Sequence, residues 1–367
     1  MDKDNINPPN EEHKDLQLEF NLPKYGIGAG DILEDANKLL EQSGDTNKEI
    51  TGEDLLLSDI NEIPCLVEPF LQQTGLACLA GSSDTGKSSL LRQLAVSIVT
   101  GSNDFIGFKI NTKHQSVIYV STEDLQRETA YLLNRQKGDS KPESLKGLRF
   151  IFEIDGLFNQ LDNRLSAKPA DLVVIDCFSD AYGGDLKDTQ RIRTYLHPFQ
   201  ELAQKHQCLI LYLHHTGKRT ENFEPSKNNL LSGQGFEAKM RLVIELRADQ
   251  MNPNLRHVCI VKGNYLPASH KKESYVLQFD EPNFTFTNTG ERVPYEFLVK
   301  QADSDNGKAK YEQAKELKNQ GLTYDQIASA IGYGSKGSVS KLFDRAKKSG
   351  WDKDVSDSVS DGNGGND

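Results

Sequence analysis

The sequence predicts an α/β fold: a mainly parallel sheet covered by helices, followed by a small all-α unit and flanked by disordered acidic ends. Three observations predict it. Short apolar runs alternate with helical patterns from about residue 63 to residue 215. A glycine-rich loop joins one such run to the helical pattern after it. Strand-like runs with short, turn-rich connections then continue to about residue 290. The alternation signals crossovers between parallel strands, and the short connections signal hairpins that extend one edge.

The ends are set apart by charge. The chain carries a net -11, residues 1–62 alone carry -11, and residues 352–367 carry -4, which leaves +4 for the body between them. The body can therefore meet a phosphate backbone despite the acidic total. Hydrophobic content of 36% is low for a chain packed throughout. Residues 1–50 are expected to be a disordered acidic region, with one short helical pattern at AGDILEDANKLLEQSG. Residues 351–367, rich in Asp, Gly and Ser, are expected to be a disordered acidic tail. No apolar run approaches the ~20 residues of a membrane span. The opening MDKDNINPPN lacks the features of a signal peptide, so a cytoplasmic protein is expected. The five cysteines form no C-x-x-C pair and sit mostly in apolar runs, the pattern of small buried hydrophobes in a reducing compartment.

In chain order, LACLA precedes the helical pattern SLLRQLAVSIVTG, and SVIYVS precedes LQRETAYLLNRQ. DLVVID precedes TQRIRTYLHPFQELAQKH, and CLILYLHH ends the alternation. RLVIELR, HVCIVKGNY, SYVLQFD and FTFTN supply the later strands. The expected core runs over 51–290, a linker over 291–307 and a helical unit over 308–350.

The loop GSSDTGKS fits G-x-x-x-x-G-K-[ST], with a buried strand before it and an amphipathic helix after it. Its residues are Gly81, Ser82, Ser83, Asp84, Thr85, Gly86, Lys87 and Ser88, with Ser89 next. The glycines let backbone N–H groups turn inward around phosphates, and the helix N-terminus adds its dipole. Lys87 is placed to reach the β and γ phosphates of ATP, and Ser88 offers a hydroxyl to Mg²⁺. Asp176 closes LVVID and suits the water shell of that ion. The next residue is Cys177, not the glutamate that many such proteins place there, so the base is sought elsewhere. Glu123 in VIYVSTED stands at the C-terminal end of another strand, where ligands of open α/β sheets bind. It could polarise the attacking water. Glu123 is the preferred base over the adjacent Asp124, with a helix N-terminal acid as the alternative reading.

His214 and His215 end the run ILYLHH. Consecutive strand residues face opposite ways, so the two rings cannot easily share one ion, and no usual zinc-ligand spacing is present. The alternatives are a partly buried core histidine and a polar sensor of the γ phosphate. The sensor is preferred, and His214 within it, because it ends the apolar run.

The set GSSDTGKSS, STED, VVIDCFSDAYGGD, LYLHHTGK and SGQGFEAKMRLVIEL, in that order, resembles the RepA group of ring-forming replicative helicases. These lie within the RecA-like P-loop superfamily, and the likeness covers roughly residues 63 to 280. The resemblance implies a RecA-like core, ATP and Mg²⁺ as cofactors, and a homo-oligomer, a hexameric ring with nucleotide between protomers. It also implies translocation on single-stranded DNA in the replication of a plasmid or other mobile element. A cation from the neighbour would complete each site. Arg241 follows the SGQGFEAKM segment and Lys262 lies in VKGNY, which resembles the finger segment of related helicases in altered order; Arg247 is a further candidate. For each, a solvated strand-end charge is the alternative. The long polar loop after the histidines is expected to contact single-stranded DNA through Lys218, Arg219 or Lys227. A DNA-bound regulatory switch without unwinding activity is the alternative function.

Residues 308–348 read as three helices with a net charge of +5. Gly321 and Gly332 end the first two, and Thr323 with Gln326 forms a capping box at the second. The third starts at Ser335 or Ser338. The pattern resembles a helix-turn-helix, so double-stranded DNA contact is expected through Lys336, Lys341 and Arg345. The GYGSKGS turn is one residue longer than usual, and Gly337 weakens the start of the third helix.

Overall fold

The computed structural model describes residues 49–58, 60–217, 220–299, 304–333, 336–349 and 351. The expectations for the acidic ends fall outside them, apart from residues 49, 50 and 351. A helix over Gly52–Leu57 starts the described chain, closed by a Thr51–Asp54 capping box.

Two short ribbons, β1 (Cys65–Val67) with β2 (Leu71–Gln72) and β4 (Asp104–Phe105) with β5 (Phe108–Lys109), flank β3 (Gly75–Gly81) in sequence. Then come β6 (Val117–Ser121), β7 (Leu148–Ile151), β8 (Leu172–Asp176) and β9 (Leu209–His215). The last four are β10 (Leu242–Ala248), β11 (Leu255–Gly263), β12 (Glu273–Asp280) and β13 (Thr285–Pro294). Nine strands form one sheet in the order β13-β12-β11-β10-β3-β9-β8-β6-β7. The six from β10 to β7 are parallel, and β11 to β13 add antiparallel hairpins at one side. The α/β prediction, with its mainly parallel sheet, holds.

Side-chain parity divides the sheet into two cores. Ala77, Leu79, Tyr119, Val174, Leu211 and Leu213 face the Lys87–Val99 helix. Leu76, Cys78, Val120, Ile175, Ile210 and Tyr212 face the Leu157–Ala167 and Thr189–Lys205 helices. Alternate residues point to opposite faces, so strands covered on both sides must be apolar throughout, as β8 is up to its last residue. Each fully buried aliphatic side chain contributes ~1.5–3 kcal/mol.

The structure differs from the sequence reading in two places. Strand β7 and the Leu157–Ala167 helix were not expected, because LRFIFEIDGLF runs apolar residues together without a clean period of either kind. The expected boundary at residue 290 falls inside β13, which continues to Pro294, and Tyr295 and Leu298 then pack on Cys259. The start of the expected linker is thus tied to the sheet.

Three helices, Ser304–Asn319, Tyr324–Ala330 and Lys336–Ser349, share a core of Tyr311, Ala314, Ile327, Ala328, Ile331, Val339, Leu342 and Ala346. Both members of the Thr323–Gln326 capping box are made, and Gly321 and Gly332 take φ of 85° and 73° where the first two helices end.

Candidate nucleotide site

The site gathers at the C-terminal edge of the parallel strands. Strand β3 ends at Gly81, and the loop turns into the Lys87–Val99 helix through Gly86 at φ 87°. A Cβ at Gly86 would stand 2.8 Å from the Phe286 ring, so both the conformation and the space require glycine. The Lys87 ammonium is buried and donates to the Ser82 carbonyl at 2.6 Å; the Thr85 hydroxyl donates to the same oxygen at 3.0 Å. Burial pushes Lys87 down, opposed by the charges of Asp176, Glu123 and Asp84. From β11, the buried Arg256 donates through Nε to the Thr85 carbonyl at 3.0 Å and fixes the loop from behind.

Strand β9 lies between β3 and β8, so Asp176 reaches the loop across an intervening strand. Its Oδ2 accepts from the Tyr119 hydroxyl at 2.7 Å, and its Oδ1 is buried without a hydrogen-bond partner. Burial raises the Asp176 carboxyl above its ordinary value, opposed by the hydrogen bond from Tyr119. The Tyr119 oxygen also stands 3.4 Å from the Ser88 carbonyl, so Ser88 and Asp176 meet around one tyrosine.

The neighbouring acids separate cleanly. Asp124 pairs with the buried Arg92 at 3.3 Å, whereas the Glu123 side chain is 54% exposed and stands 3.7 Å from His215 Nε2. Thr122 holds this corner to β8: its N–H donates to the Asp176 carbonyl at 2.7 Å and its hydroxyl to Asp180 at 2.7 Å. It also accepts the Cys177 N–H at 2.9 Å.

The preference for His214 as the sensor is reversed by parity. His214 follows Tyr212 onto the face away from the phosphate-loop helix, where it packs on Phe178 and Phe236. Its Nε2 meets the Ser232 hydroxyl at 2.7 Å, and burial lowers its pKa to about 3, so the ring is neutral. His215 instead follows Leu213, pairs in register with Gly81 and faces Glu123.

Arg241 and Lys262 are not near this corner. Arg241 precedes β10 and its backbone N–H donates to the Leu76 carbonyl at 2.8 Å, at the opposite edge of the sheet from the protein's own phosphate loop. Lys262, opposite Val243, pairs with Glu237 at 2.8 Å. Arg247 is an internal tie and not a free cation. It is 3% exposed, bonds Glu245 at 2.7 Å and donates to the Thr220, Phe223 and Leu298 carbonyls.

The loop after β9 closes on itself. Thr216 bridges Leu230, and the buried Glu245 accepts from Ser226 N–H at 3.0 Å and Asn229 at 3.1 Å. Glu221 in this loop accepts from the Ser82 hydroxyl at 2.7 Å. Lys227 pairs with Glu237 at 3.3 Å, and Lys218 and Arg219 lie outside the described residues. Lys336 is exposed at the start of the last helix; Lys341 and Arg345 are in that helix, with side chains outside those described. Sequence reasoning missed Tyr119, Thr122, Glu221 and Glu245. A tyrosine inside an otherwise apolar strand was the one available signal, since a buried hydroxyl needs a partner.

Among the described residues, no helix is long and apolar enough to cross a membrane. A family model described as "AAA domain" matches residues 48–221, from just before the first described helix to Glu221. No curated protein matches the chain. A solved ATPase domain superposes with a TM-score of 0.47 at 13% identity, covering 71% of this chain and 98% of that one. The KaiC-like protein PH0186 of Pyrococcus horikoshii superposes with a TM-score of 0.46 at 18% identity, covering 61% and 93%. The phosphate loop, the buried Asp176 beyond an intervening strand and the AAA-domain match over residues 48–221 together point to an ATPase on a mainly parallel α/β sheet.

Proposed function

We propose that the protein is a ring-forming ATP-driven motor of the RepA helicase type, moving on single-stranded DNA in plasmid or mobile-element replication. One observation carries the reading. The loop that follows His215 reaches back to the phosphate loop through the Glu221–Ser82 hydrogen bond, so a polar surface segment is mechanically joined to the nucleotide site. A change at the phosphates can move that segment, which is what a DNA-moving loop requires.

The residues fit Mg-ATP on their own geometry. Asp176 Oδ1 is a buried carboxylate oxygen without a partner, and Lys87 rests on a backbone carbonyl that a phosphate oxygen would replace. Ser88 and Asp176 would hold the Mg²⁺, which supplies charge neutralisation across the phosphates when bound. Lys87 binds the phosphates, Glu123 orients the attacking water, and His215 reports the γ phosphate to the loop it precedes. Arg241, at the far edge of the sheet, would serve a neighbouring protomer's site instead of its own, and Lys262 would do so only on leaving Glu237. The C-terminal helices would add double-stranded DNA contacts through Lys336, Lys341 and Arg345.

The test measures ATP hydrolysis with and without single-stranded DNA, together with strand unwinding, for wild type and Glu123→Gln. The expected result is DNA-stimulated hydrolysis with unwinding, and a ~10²–10⁴-fold lower turnover in Glu123→Gln with nucleotide binding kept. Hydrolysis unchanged in the variant would remove Glu123 as the water-orienting group. Stimulated hydrolysis without unwinding would replace the motor by a DNA-bound switch.

A further inference from the structure

Three chemically different ligand atoms meet beside the phosphate loop. The Glu123 carboxylate, the Cys177 thiol and the His215 imidazole have ligand atoms all within 4.8 Å of one another. They come from the ends of β6, β8 and β9, three strands hydrogen-bonded side by side. The frame that carries them is stiff, because Thr122 binds both the Asp176 carbonyl and the Cys177 N–H. The ligand side chains keep some freedom, with Glu123 54% and His215 27% exposed. Cys177 is buried, its sulfur 3.0 Å from the Ser179 hydroxyl.

Tetrahedral zinc with sulfur, nitrogen and oxygen ligands at their usual bond lengths sets the ligand atoms about 3.4–3.6 Å apart. Glu123 and His215 already stand at 3.7 Å. The sulfur lies within 4.8 Å of both other ligand atoms, and rotation of the exposed Glu123 and half-buried His215 side chains would close that gap. Thiolate, imidazole and carboxylate together suit zinc, whereas magnesium takes oxygen ligands.

We propose that Glu123, Cys177 and His215 form a binding site for a thiophilic divalent cation of the zinc type, whose occupation withdraws Glu123 and His215 from ATP hydrolysis. The inhibitory half rests on the hydrolytic roles given above; the binding half does not. As the metal–sulfur bond forms, the Cys177 thiol gives its proton to solvent, and the fourth position is left to water. The missing zinc spacing around the two histidines is no obstacle, because strand adjacency, not sequence spacing, brings the ligands together.

The full chain, free of nucleotide and kept reduced, is titrated with cobalt(II). A single equivalent should bind and give a thiolate-to-cobalt charge-transfer band that zinc abolishes by displacement. The band should vanish in Cys177→Ser, with folding checked by circular dichroism. Glu123→Gln alters an exposed side chain and should fold regardless; loss of a direct ligand should weaken cobalt binding at least about tenfold, since second-shell losses alone cost 10–100-fold. The ratio of Mg-ATP hydrolysis without and with zinc is then measured within each protein, and should fall towards one in Cys177→Ser. Absence of the band, its survival in Cys177→Ser, or unchanged cobalt affinity in Glu123→Gln overturns the site. A band without zinc inhibition overturns the regulatory half. Zinc-free hydrolysis indifferent to Glu123→Gln counts against the hydrolytic reading alone.

Discussion

Replacing Arg247 by methionine removes one charge from a buried pair and tests what holds the loop after β9. Arg247 and Glu245 are 3% and 2% exposed, and their Nε–Oε1 distance is 2.7 Å. Arg247 also satisfies the carbonyls of Phe223 at 2.7 Å, Thr220 at 3.0 Å and Leu298 at 3.2 Å. Methionine keeps much of the apolar stem, so the loss is mainly that of the charge and its donors. Stranding one member of a buried pair costs ~3–5 kcal/mol, and the orphaned carbonyls favour the upper half, about 4 kcal/mol. Changing Glu245 to leucine as well removes the stranded carboxylate. The double variant should therefore lose at least ~2 kcal/mol less than the sum of the singles. Urea unfolding followed by circular dichroism measures these values for the sheet. The single tryptophan, Trp351, packs on the C-terminal helices and reports that unit separately. Limited proteolysis should cut Arg247→Met faster between residues 220 and 229. A loss under ~1 kcal/mol, the level of an exposed pair, with no new cleavage, would refute the tether.

Three further outcomes follow from the same geometry. His214 is held at about 3 by burial, then by the charges of His215 and Lys87. The unfolded histidine takes a proton as pH falls through ~6.5 and the folded one does not, so stability is full above that value and is lost on acidification. Between pH 7 and pH 5 the wild type should lose about 2 kcal/mol more than His214→Asn in denaturant titrations. Thr323→Ala removes a capping box and should cost the helical unit ~1 kcal/mol, read from Trp351 fluorescence. Gly86→Ala meets both a positive φ and the Phe286 ring, and should cost at least ~1–2 kcal/mol in unfolding free energy.

Much of this was legible in the sequence. The glycine loop, the closing Asp176 and the STED turn are local patterns, and local backbone chemistry alone makes them a phosphate loop and two strand-end carboxylates. The alternation of apolar runs likewise dictated a parallel sheet, because strands covered on both faces have no room for polar residues. The C-terminal capping box and the two helix-ending glycines are local in the same way. Strand β7 escaped because its apolar residues merge into the next helix, so neither period stands out.

What only the tertiary structure decided is which neighbours share a face. Adjacent histidines at a strand end must point to opposite sides, but no local pattern says on which side the Lys87–Val99 helix packs. That packing gives His215 to the nucleotide corner and His214 to the aromatic core of Phe178 and Phe236. Strand order does the same for long-range partners. Inserting β9 between β3 and β8 brings His215 to Glu123 and Cys177, and carrying β10 beside β3 sets Glu245 and Arg247 beneath the loop. Such contacts join residues far apart in the chain, so they depend on the order in which strands pair, a choice made by the whole core.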